Sequence, residues 1–277
     1  METEPVSLAS SETLLMFGAM LTYAAASLLY VSGTTKFFRI SGNAFLVLGV
    51  TLLTMQAQNQ LRTEGNWGGS AAPLLAAMIG AGAIAADRWL GVRLAAAMLA
   101  PLGMLVLLVR FFAAPVPQIA PTMWLTGFHI SMALAGQVMA IAACVLSILY
   151  LWQHNALKRR KIHELQPGIP ALDRLNQWLK IALISGFVML TCSLVTGALF
   201  MTALPLGTTA ATLIALRAKI LWAVAVWSWY LAILVARNIL RSPARVIARM
   251  SVVGFALMAI AWFGLIFFAT KVPQIAG

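Results

Sequence analysis

The chain has 277 residues, 62% of them hydrophobic and only 9% charged. No single soluble core hides that much apolar surface, so the class left standing is an all-α, polytopic membrane protein. Closed β-barrels are excluded because the apolar runs are unbroken and do not alternate. The net charge of +12 sits in short loops between apolar runs, which marks topology rather than a nucleic-acid partner.

In chain order, the first residues (METEPVSLASSE) are acidic and lack a basic n-region, so they do not read as a cleavable signal peptide. Eight transmembrane helices follow, at about 13–31, 42–58, 71–86, 94–112, 124–152, 178–203, 211–236 and 250–269, each near the ~20 residues that cross a bilayer except the short, Ala/Gly-rich third. Lys36, Arg39, Arg88, Arg93, the Lys158–Lys161 cluster, Arg174, Lys180, Arg237, Arg241, Arg245 and Arg249 fall on one side, and only Arg62, Arg110, Arg217, Lys219 and Lys271 on the other. That asymmetry puts both termini outside. Trp67, Trp89, Trp124, Trp152 and Trp178 fall at span ends, where amphipathic rings anchor to headgroups. The chain is expected to form one membrane domain. Residues 12–112 make a first four-helix half and 124–269 a second. A cytoplasmic linker, 153–177, is broken by Pro167, Gly168 and Pro170.

The ends of the two halves match. Phe111-Phe112-Ala113 leads into Val116-Pro117-Gln118-Ile119-Ala120, and Phe267-Phe268-Ala269 leads at the same spacing into Val272-Pro273-Gln274-Ile275-Ala276; the same offset pairs Arg93 with Arg249. Four spans separate the copies, so a duplication would be parallel, 4+4. The alternative is convergent use of one surface cap.

Chemistry-bearing residues are few. No acidic residue lies near the centre of a span, which removes the carboxylates that ion-coupled transporters need. Walker A, HExxH, GxSxG and CxxC patterns are absent. Cys144 and Cys192 lie at different depths, so no disulfide is expected between them. His129 is the one histidine inside a span. Its helical face continues through Met132, Ala133, Gly136 and Ala140, a stripe of small residues that either packs a helix closely or leaves room for a flat ligand. Gly186, Ser193 and Gly197 make a comparable stripe on helix 6, with Thr191 and Thr196 beside it. Arg217 and Lys219 open helix 7, either as snorkelling anchors or as holders of a propionate or lipid phosphate.

These features resemble the integral-membrane cytochrome c assembly family, the CcsA/HemX-like haem-handling proteins. Helix 5 carries its histidine and runs into Leu157-Lys158-Arg159-Arg160-Lys161, and Pro170-Ala171-Leu172-Asp173-Arg174-Leu175 is similar to the family's P-x-L-D-x-L segment. Thr191 to Phe200 (TCSLVTGALF) looks like its T-x-x-x-x-T-G-A-L-W motif, Lys219 falls at its D-P-K lysine, and Gly254-Phe255 matches a pair in its last helix. The tryptophan-rich haem motif of the full-length exporters, their outer histidines and the histidine of helix 2 are absent, so the resemblance is to a short eight-helix branch. Counted back from Arg62, Met55 takes the place of the helix 2 histidine. The resemblance implies haem as cofactor, with His129 and Met55 as axial ligands and Arg217 or Lys219 at its propionates. It implies an assembly or binding factor of the bacterial inner membrane rather than a catalyst, partnered with cytochrome c maturation proteins or other membrane subunits. The alternative is a non-catalytic subunit or regulator that keeps the fold without haem.

Overall fold

The computed structural model describes residues 6–32, 35–64, 67–89, 91–112, 123–159, 170–202 and 210–271. The two VPQIA segments and most of the basic cluster after Lys158 lie outside these residues. Eight helices are described: α1 (Val6–Ser32), α2 (Lys36–Glu64), α3 (Trp67–Arg88), α4 (Arg93–Phe112), α5 (Met123–Lys158), α6 (Leu172–Thr202), α7 (Ala210–Asn238) and α8 (Ala244–Lys271). Seven of them, judged on their described residues, are long and apolar enough to cross a membrane. The protein is an all-helical, multi-pass membrane protein.

Every helix is longer than the span drawn from hydropathy, at one end or both. Hydropathy finds the stretch that hydrocarbon tolerates, whereas a helix continues for as long as its backbone hydrogen bonds do. The linker drawn at 153–177 is shorter for this reason: α5 persists to Lys158, and α6 begins at Leu172, just after Pro170. The third helix, expected to be short, has 22 residues, two more than α4.

The helices divide into two compact units, α1–α4 and α5–α8. In the first, α1 packs on α2, α2 on α3, α3 on α4, and α4 back on α1; in the second, α5, α6, α7 and α8 close in the same order. The buried face of α2 runs through Asn43, Leu46, Leu53, Gln56, Ala57 and Gln60, the i, i+3, i+4 spacing of one helical side. At the heart of the first unit Tyr23 is fully buried and donates its hydroxyl to the Ala76 carbonyl at 2.6 Å. Its ring fills the space vacated by Gly49, Gly80 and Gly103, where a Cβ would collide with it. Three helices thus close on one aromatic side chain.

The turns after α3 and α7 share one geometry. Gly91 has φ +68°, and Val92 N–H bonds back to Ala86 O at 2.9 Å. Arg241 has φ +47°, and Ser242 N–H bonds back to Ala236 O at 2.9 Å. Each is a left-handed cap that satisfies carbonyls of the last helical turn.

Candidate functional site

The site is built where α5 begins and α6 ends. His129 lies six residues into α5, half-buried. Its Nδ1 is 2.9 Å from the Ser193 carbonyl oxygen and 3.1 Å from Thr196 Oγ1. A carbonyl only accepts, so Nδ1 carries the proton and donates; in the neutral ring this places the lone pair on Nε2. The Thr196 hydroxyl reaches back to the Cys192 carbonyl at 2.8 Å, which directs its lone pairs towards the imidazole. Ser193, Thr196 and Gly197 stand at i, i+3 and i+4, one side of α6.

Gly197 explains the close approach. A Cβ there would stand 3.0 Å from His129 Cε1, tighter than ordinary van der Waals contact. The other glycines on these helices are also occupied: a Cβ on Gly136 would meet Leu190 at 2.9 Å, and one on Gly186 would meet Met139 at 3.0 Å. The small-residue stripes of α5 and α6 therefore interlock with each other, and the room for a flat ligand allowed by the sequence is not between these two helices.

Further along α6, Thr191 accepts a hydrogen bond from Trp227 Nε1 at 2.9 Å and donates to the Phe187 carbonyl at 2.7 Å. The Phe187 ring stacks on Trp227 with centroids 5.5 Å apart, which ties α6 to α7. On α8, Gly254 admits Trp229 and Tyr230, and Trp229 Nε1 donates to the Met250 carbonyl at 3.0 Å.

The cations of α7 separate. Both Arg217 and Lys219 are exposed, but two residues of helix turn them about 200° apart. Lys219 precedes buried Val226 by seven residues and so continues the side that carries Val226, Tyr230 and Ile233 into the core. Arg217 is on the opposite side. Lys219 lies nine residues into α7 and His129 six into α5. Met55 is 54% exposed on α2 and belongs to the first unit, so only His129, Arg217 and Lys219 share a unit. Cys144 and Cys192 are both free thiols.

The family pattern described as Cytochrome C assembly protein matches residues 8–271. The chain belongs to the cytochrome c assembly family. No curated protein and no solved structure matches it. Membership gives the protein a role in cytochrome c biogenesis and a membrane setting. It also gives the Thr191–Gly197 motif a physical account: in this member of the cytochrome c assembly family, the second threonine and the glycine are the residues that seat the α5 histidine.

One polar cluster escapes the sequence reading. Asp87, 1% exposed at the end of α3, takes Arg39 Nε at 2.8 Å and Asn43 Nδ2 at 2.7 Å. Asn43 Oδ1 accepts from Tyr30 at 2.8 Å, and Arg93 Nη2 donates to the Tyr30 carbonyl at 2.6 Å. The signal was there: Asp87 is the one acidic residue between Glu64 and Glu164, and a carboxylate beside a span needs a buried partner. This network staples all four helices of the first unit.

Proposed function

We propose that the protein is a haem-handling factor of cytochrome c biogenesis, seated in a bacterial inner membrane with both termini outside, and that His129 is its iron ligand. The observation that carries this reading is the hydrogen bond from His129 Nδ1 to the Ser193 carbonyl. Ligating histidines usually donate their second ring nitrogen to a carbonyl or carboxylate, which fixes the tautomer and raises the basicity of the other nitrogen. The donor chemistry therefore fits haem iron at Nε2. Lys219, on the core-facing side of α7, would meet a propionate as a point charge, while Arg217 anchors α7 to headgroups. Once bound, the haem supplies a redox-active, Lewis-acidic iron. The chain's own part is to present one imidazole, hold its orientation from α6 and offer a cation to the carboxylates. Met55 is not needed for this part. Maturation proteins that donate or receive haem are the partners the reading implies.

A second reading, a membrane subunit that keeps the fold without haem, draws support from the interlocked glycines of α5 and α6. One experiment separates the two. Detergent-purified protein is expected to show a Soret band that His129→Ala abolishes while the variant still folds. No Soret band in the wild-type protein, or one that survives His129→Ala, makes His129 a packing residue.

A further inference from the structure

Hydroxyl groups within these helices follow a habit. Thr22, Ser32, Thr51, Ser185, Thr191 and Thr196 each donate to a carbonyl one turn back in their own helix, the usual way to satisfy a hydroxyl in an apolar setting. Two buried serines of the second unit break the habit. Ser147 on α5 and Ser251 on α8 are both fully buried, and neither Oγ has a hydrogen-bond partner. The hydroxyl of Tyr230 on α7, 1% exposed, has none either.

The three converge. Tyr230 packs its ring on Gly254, with a Cβ there standing 3.4 Å from Tyr230 Cε2, and Ser251 is one turn away from Gly254 on the same side of α8. The Cys144 thiol lies within electrostatic reach of the Tyr230 hydroxyl, and Ser147 is one turn beyond Cys144 on the same side of α5. Helices α5 and α8 pack together, as do α7 and α8. All three hydroxyls lie in the half of the unit nearer the α5–α6 connection.

We propose that Ser147, Tyr230 and Ser251 hold internal water in the core of the second unit. Buried hydroxyls are seldom left unpaired, and an internal water with two to four polar partners is the ordinary solution. These groups each donate and accept, so they suit water better than a metal ion or an anion. In the first unit Tyr23 is equally buried but donates its hydroxyl directly to the Ala76 carbonyl.

Radiolytic hydroxyl-radical footprinting of the detergent-solubilised full-length chain tests this, because radicals formed from bound water oxidise the side chains beside it. Tyr23 is the internal control, with the same chemistry and burial but a satisfied hydroxyl. Tyr230 is expected to be oxidised several-fold faster than Tyr23, with Cys144 modified alongside. Ser147→Val and Ser251→Val together remove two partners and fill their space, and are expected to bring Tyr230 down to the Tyr23 rate. Ser147→Ala, which changes little volume, is expected to give a partial drop should the double variant not fold. Equal rates for Tyr230 and Tyr23 in the wild-type protein overturn the proposal, as does a Tyr230 rate that none of the folded serine variants lowers.

Discussion

Gly197→Ala separates an oriented histidine from a merely packed one. The new methyl would stand 3.0 Å from His129 Cε1, so the ring must retreat by a few tenths of an ångström. Retreat lengthens the Nδ1 contacts of 2.9 Å to Ser193 O and 3.1 Å to Thr196 Oγ1. Overpacking of this kind costs about 1–3 kcal/mol, and replacing a mid-helix glycine by alanine returns about 1 kcal/mol through helix propensity. The net loss of roughly 0–2 kcal/mol leaves the protein folded with its imidazole turned. Gly136→Ala is the matched control: its methyl would meet Leu190 at 2.9 Å on the same pair of helices without touching His129. Both variants are expected to lose similar thermal stability in detergent, measured as unfolding midpoint. Only Gly197→Ala should lower haem per chain or shift the Soret maximum. Equal spectral effects from the two would refute the idea that α6 orients an iron ligand.

Three further outcomes follow from the same geometry. Lys219→Ala is expected to lower haem retention through gel filtration and Arg217→Ala to leave it unchanged, because only Lys219 is on the core-facing side of α7; the reverse result moves the propionate contact to Arg217. Arg241→Gly relieves a left-handed backbone of φ +47° and is expected to stabilise by about 1 kcal/mol; a lower unfolding midpoint would mean that the arginine side chain contributes more than its strain costs. A reporter active only in the cytoplasm should give signal when fused after Lys161 and none after Thr208, and the opposite pattern would invert the orientation drawn from the basic residues.

The membrane class, the eight helices and the family were all legible in the sequence, because hydropathy and short motifs are local signals. His129 was legible as a candidate because a histidine inside a span is rare. Its partners were not. Ser193 contributes a backbone carbonyl, which any residue would supply, and Gly197 matters for what it lacks. The stripe of small residues read equally as close packing or open space, and only the facing Leu190 and Met139 decide it. Arg217 and Lys219 looked equivalent because charge carries no angle, whereas helical phase against Val226 and Tyr230 separates them. The Asp87 network joins residues up to 63 positions apart, beyond the range of any local pattern. The VPQIA repeat falls outside the described residues, so its weight rests on the sequence.

We propose that the two halves descend from one four-helix ancestor, and three internal likenesses support this: the same order of helix packing, the same left-handed cap after the third helix, and an asparagine of the second helix bound by a charged residue late in the third. In the first unit that pair is Asn43 with Asp87; in the second, Asn176 with Arg237. The two links should differ sharply in strength. Asn43 is buried between two other buried groups, donating to Asp87 and accepting from Tyr30. Asn43→Leu would leave the Tyr30 hydroxyl unpaired and strip one donor from a buried carboxylate, at about 2–4 kcal/mol. Asn176→Leu removes only the Oδ1 contact at 2.9 Å, because Arg237 Nη2 also holds the Asn176 backbone carbonyl at 3.1 Å, which survives any substitution. Its cost is expected to be about 1 kcal/mol or less. Unfolding midpoints of the two variants in the same detergent give the comparison. A loss for Asn176→Leu as large as for Asn43→Leu would mean that the backbone carbonyl does not hold Arg237 on its own and that the two links carry equal weight.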